Sequence, residues 1–151
     1  MSPLDDLHHP GGPANPEEAE VARQVAGLAD RVEQLSGRRP SYVPDTENRD
    51  AGCTFYRYRD GTYSYEAFER GRESFGRRTP SRHELLGWIA SDLARDVATR
   101  HELEHRVEGQ DSRRAWFAMW EELTAALDPE WGARVRQHVA ETLARAPYRD
   151  A

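Results

Sequence analysis

An α+β fold is the expectation for this chain, and three observations carry it. Apolar residues recur at three- and four-residue steps over residues 16–36, 82–107 and 113–146, which is the helical period. Between the first two stretches, CTFYRYRDGTYSYEAFER alternates ring and polar side chains around Asp60-Gly61, the pattern of a hairpin. Four tryptophans and six tyrosines then enlarge a core that 24 Leu, Ile, Val and Phe residues alone would leave thin. The architecture expected is an N-terminal helix, a small antiparallel hairpin or sheet around residues 53–79, a long helix, and a C-terminal antiparallel helical pair.

The elements follow in order. Residues 1–15 mix Pro, Gly and Asp with His8-His9, and are expected to be a flexible tail. Val21, Val25, Leu28, Val32 and Leu35 line one face of a helix that stops near Gly37. A linker broken by Pro40 and Pro44 leads to the hairpin. Counting outward from Asp60-Gly61 pairs Arg59 with Thr62, Tyr58 with Tyr63 and Tyr56 with Tyr65, so four tyrosines share one face. That face is either core or an aromatic platform for a partner, and Gly71 to Thr79 can add a third strand.

Ser81-x-x-Glu84 is a capping box that opens the long helix. Its stripe of Leu85, Leu86, Ile89, Leu93, Val97, Leu103 and Val107 carries it to about residue 107. Ser112 can cap the next helix, over 113–127, with Trp116, Phe117, Trp120, Leu123 and Leu127 inward. Asp128-Pro129 restarts the chain with a cap and a first-turn proline, and the last helix closes at Pro147.

Charge narrows the function classes. All 21 cations are arginine, against 27 carboxylates, a net charge of −6. The missing lysine fits a high-G+C bacterial genome, and the negative balance argues against nucleic-acid binding while suiting a basic partner. Cys53 is the lone cysteine, so no internal disulfide or cysteine cluster can form. The first residues have no basic and apolar leader pattern, and no apolar run reaches the ~18 residues of a membrane span, so a cytoplasmic protein is expected.

One motif invites an enzyme. His101-Glu102-x-x-His105 is the zinc-hydrolase pattern, with Glu102 as base and Asp111 placed where some metalloproteases keep a third ligand. Those families need a glycine seven residues after the first histidine, where this chain has Glu108. At 100° per residue, His101 and His105 lie about 100–140° from the centre of the apolar stripe, at its flank or in solvent. Glu102 and Arg106 are spaced for an ordinary helix-surface pair. A zinc hydrolase is therefore the alternative, not the leading reading, and no cofactor is expected. A scaffold or regulator of another pathway is the third.

A series of short pieces gives the leading reading. They are Glu69-Arg70-Gly71-x-Glu73, Glu84-Leu85-Leu86-x-Trp88, Glu102-x-x-x-Arg106, Gln110-Asp111-Ser112-Arg113-Arg114-x-x-Phe117, Leu127-x-Pro129-x-Trp131 and Leu143-x-x-x-Pro147-Tyr148-x-Asp150. In order and spacing this series resembles the Immunity protein 63 family of bacterial polymorphic toxin systems, over about residues 55–150. The resemblance implies a small α+β domain, here residues 16–150, encoded beside a secreted toxin. It implies a non-enzymatic inhibitor that binds this cognate toxin and protects the producing cell. It also implies an aromatic residue where His101 stands, so the histidine pair is not what the family is built around. A basic toxin such as a nuclease would suit the acidic chain.

Glu102, Arg106, Asp111, Arg113 and Arg114 are the candidate toxin-binding residues. Their structural alternative is a braced corner. Arg113 and Arg114 stand in the first turn of a helix, where cations are unfavourable unless paired, and Glu102, Glu104 or Glu108 could pair them.

Overall fold

A computed structural model describes residues 12–151. The expected tail, including His8-His9, lies outside the described residues for its first eleven positions. The elements run α1 (Pro16–Ser36), β1 (Phe55–Arg59), β2 (Thr62–Glu69), β3 (Arg72–Thr79), α2 (Arg82–Glu104), α3 (Ser112–Leu127) and α4 (Pro129–Arg145). This is the α+β order expected. The chain forms two compact units, one of residues up to Ala26 with Pro44–Leu86, the other of Gly27–Val43 with Gly87–Ala151.

In the first unit the sheet has the order β1-β2-β3, antiparallel throughout. The hairpin register is the one counted from the sequence: Arg59 faces Thr62, Tyr58 faces Tyr63, and Tyr56 faces Tyr65. Asp60 and Gly61 both take positive φ, 52° and 76°, as a type I′ turn demands. The tyrosine face is core. Tyr56, Tyr63 and Tyr65 are buried, Tyr58 is half-buried, and Phe75 of β3 meets Tyr65 edge-on at 5.8 Å. Burial pushes the Tyr56 phenol up to about 12, so it stays neutral.

The start of α1 closes the open edge of β1. Asn15 caps the helix by accepting from the Glu18 amide at 2.8 Å. Its Nδ2 donates to the Tyr58 carbonyl at 3.0 Å, while the Glu18 carboxylate accepts from the Tyr58 amide at 2.9 Å. An edge strand that would otherwise expose both groups is thereby satisfied by side chains. Glu18 is 0% exposed, and it is held by two further donors, Ala14 N at 2.8 Å and Arg57 Nε at 3.2 Å. Beside it Glu17 accepts from the Tyr63 hydroxyl at 2.5 Å and from Arg82 at 2.6 and 2.8 Å.

The second unit is helical. Ile89, Leu93 and Val97 of α2, with Ala90, Ala94 and Ala98 beside them, are buried. Burial of each large aliphatic among them stabilises by about 1.5–3 kcal/mol. Trp120 donates its ring N–H to the Ser91 carbonyl at 2.9 Å, joining α3 to α2. A Cβ on Gly132 would lie 2.4 Å from the Ala125 Cβ, and one on Gly87 would lie 2.6 Å from the Trp131 ring. These two glycines let α4 approach α3 and α2 closely. Arg31 of α1 donates to the Ala126 and Leu127 carbonyls at 2.8 and 3.3 Å, answering the C-terminal end of α3.

Three apolar positions depart from expectation. The stripe of α2 ends at Ala98, since the helix stops at Glu104 and Leu103 and Val107 are 63% and 56% exposed. Leu35, at the end of α1, is 49% exposed. Periodicity ran on past the point where a neighbour covers the face. No helix among the described residues is long and apolar enough to cross a membrane.

Candidate functional site: the charged corner

The residues singled out from the sequence lie in the second unit, at the end of α2 and the start of α3. His101 and His105 are exposed, with stacked rings whose centroids are 4.2 Å apart. Nδ1 of His105 sits 2.9 Å from the His101 carbonyl oxygen. Glu102 does not share their exposure. It is buried, and its carboxylate accepts from Arg106 Nε and Nη2, both at 3.0 Å. That ion pair holds the Glu102 carboxyl below its usual value, the opposite of what a poised general base needs.

Asp111 is engaged too. It is the N-cap of α3, in place of the Ser112 expected, because its side chain accepts from the Arg113 amide at 3.0 Å. The same carboxylate accepts from Arg113 Nε and Nη2 at 3.1 and 2.8 Å, and from the Arg149 amide at 2.8 Å. Among the described residues, His101, His105 and Asp111 do not form a set whose ligand atoms all lie within 4.8 Å of one another. The would-be base and the would-be third ligand both serve arginines, so the donor set does not fit a zinc-hydrolase centre.

The pairing of Arg113 and Arg114 also departs from expectation. Glu102 goes to Arg106, and Glu104 to Arg38 beyond the end of α1. The first-turn arginines instead meet the C-terminal tail. Arg113 donates Nη1 to the Ala146 carbonyl at 2.8 Å and Nη2 to the Pro147 carbonyl at 2.9 Å. Arg114 Nε reaches both Asp150 oxygens, at 3.0 and 3.1 Å, and its guanidinium lies 4.2 Å from the Tyr148 ring centroid. Asp150 accepts in addition from the Asp111 amide at 2.8 Å, and the Ala151 amide donates to the Gly109 carbonyl at 2.9 Å.

The result is a clasp. Gly109 turns the chain with φ 80°, Asp111 starts α3, and the tail folds back over that start. Asp111 is held far below the usual carboxylate range, first by the Arg113 side chain and then by the Arg149 and Arg113 amides. Asp150 is lowered as well, by Arg114 foremost and then by the Asp111 amide. Exposure divides the five candidates. Glu102 and Asp111 are 6% and 10% exposed at the side chain, while Arg106 and Arg114 are 59% and 43%. Arg113 stands between them at 23%.

The family model described as Immunity protein 63 matches residues 60–141, 82 of the chain's 151. The matched stretch runs from the first hairpin turn into α4 and contains all five candidates. The tail half of the clasp, with Tyr148 and Asp150, lies beyond it. No curated protein and no solved structure matches the chain.

Proposed function

The chain belongs to the Immunity protein 63 family, and on that premise we propose that it binds a cognate bacterial toxin and neutralises it by covering its surface, without catalysis or cofactor. Family membership is the observation that carries this reading. The engagement of Glu102 and Asp111 by arginines supports it, because neither carboxylate is placed to activate water.

Of the corner residues, Arg106 and Arg114 keep the most exposed guanidinium surface. Glu102, Asp111 and Arg113 act as the brace that holds them. The net charge of −6 favours approach to a basic toxin such as a nuclease, with an association rate that falls as salt rises. The protective site of action is the cytoplasm of the producing cell.

The test is co-expression of the toxin gene beside this one, with and without the chain. Growth is expected to be restored when the chain is present. Killing that continues unchanged rejects the reading.

A further inference from the structure

The outer face of the sheet, opposite the tyrosines, is concave, with a volume of about 410 Å³. Alternation along the strands puts Phe55, Arg57 and Arg59 of β1, Glu66 and Phe68 of β2, and Arg78 of β3 around it. Three guanidinium groups and the Glu66 carboxylate line it, with Arg57 also paired to the buried Glu18, in a chain of net −6.

Arg57 is fixed by its Nε bond to the buried Glu18, and its two Nη groups bond to no described residue. Arg78 donates one Nη to Glu66 at 2.9 Å and is otherwise 69% exposed at the side chain. At one end the Phe55 and Phe68 rings stand 6.0 Å apart, an apolar wall beside the cations.

We propose that this face is where the chain takes its partner, and that it accepts an acidic segment of the toxin whose carboxylates meet the arginines while an apolar side chain meets the phenylalanines. The proposal rests on the toxin-binding reading above. Guanidinium forks pair bidentately with carboxylates, and two arginines at alternate positions of β1 suit carboxylates at alternate positions of an extended segment. A nucleic-acid backbone fits less well, since its many phosphates would also meet Glu66 and the net negative charge. Net charge governs distant approach, whereas the groups at the face govern contact.

Arg59→Glu with Arg78→Glu tests this, because it moves the net charge from −6 to −10, four units more negative. If contact simply followed net charge, this double variant would hold a basic toxin as tightly as the parent or tighter. Affinity for the purified toxin encoded by the adjacent gene is instead expected to fall about 100-fold. Arg59→Gln with Arg78→Gln, which adds no repulsion, is expected to weaken binding about 10-fold. The control Arg23→Glu with Arg134→Glu makes the same net change on helices α1 and α4, and is expected to stay within about threefold.

Melting temperatures matched to the parent keep the comparison on binding. A parent chain that binds no toxin overturns the toxin reading and this inference with it. A parent that binds, with the sheet double variant within threefold of it, overturns the inference alone. Retention of a single-stranded oligonucleotide that disappears in the same variant overturns it in favour of nucleic acid.

Discussion

Two arginine-rich regions of this chain differ in where their charge is answered. At the corner, Arg106, Arg113 and Arg114 each meet a carboxylate, and Arg113 takes two tail carbonyls as well. On the outer sheet face, Arg57 is anchored at Nε with both Nη groups open, and Arg78 meets a single oxygen of Glu66. A dense run of charge in sequence therefore marks the clasp that fixes a helix start, whereas donors left over after folding mark the surface proposed above for a partner. The corner arginines are components of the fold first; on the sheet face Arg57 and Arg78 keep donors that the fold does not use.

The largest expected effect comes from the carboxylate beneath the sheet face. Glu18→Ala removes a fully buried acceptor shared by the Ala14 amide, the Tyr58 amide and Arg57. Leaving those donors without it should cost about 3 kcal/mol in chemical denaturation and weaken toxin binding by releasing Arg57. A loss below about 1 kcal/mol would mean that the sheet face does not depend on Glu18.

Next comes the clasp. Asp111→Ala deletes the α3 cap and the acceptor of Arg113 and of the Arg149 amide, and should lower the melting temperature by several degrees. Affinity of the folded protein for toxin should change no more than about threefold, in contrast to the sheet double variant. If Asp111→Ala melts normally and abolishes binding, the two regions exchange roles.

Acid probes the same contrast. Asp111 and Asp150 sit below their ordinary 3.8, and Glu17 below its ordinary 4.5, held there by Arg113, Arg114 and Arg82 foremost. In each case the unfolded chain binds the proton more readily. The stability they contribute is thus complete above the ordinary values and is lost as pH falls through the folded ones. Thermal unfolding should be insensitive to these groups from pH 7 to about 5 and should fall below about 4.5. Asp111→Asn, which still caps the helix, should shrink that fall; an unchanged acid limb would remove the clasp from the account.

Much of the fold was legible because it depends on local chemistry. Asp60-Gly61 fixes the hairpin register by its φ requirement, and Asp128-Pro129 fixes the start of α4 by cap and ring geometry. The limits lay where a distant partner decides. Leu103 and Val107 match the helical period yet are exposed, because period reports a face without reporting what covers it. Glu102 and Glu104 were the obvious partners of Arg113 and Arg114 by proximity, but Arg106 and Arg38 hold them.

The tail contact could be suspected only from a ring and an acid after Pro147, a signal too short to name its partner. The edge brace left a better trace, since Asn15-x-x-Glu18 has capping-box spacing. The concave face also left one in Arg57 and Arg59, which alternate with the tyrosines of β1 and so had to point the other way.

The smallest effect expected belongs to Arg114, and it separates the regions most finely. Arg114 pairs with Asp150 while both remain over 40% exposed, and it covers the Tyr148 ring. Exposed pairs of this kind gain little from Coulomb attraction, because water competes for both charges and two side chains must be ordered. Arg114→Gln should therefore shift the melting temperature by no more than about 2 °C. If the corner is chiefly a brace, toxin affinity should also stay within about threefold, even though this guanidinium is among the most exposed of the five candidates. A tenfold or greater loss of affinity, with melting unchanged, would place a contact at the corner after all. The pairing of Arg114 within the chain would then be the state of the free protein, exchanged for a toxin carboxylate on binding.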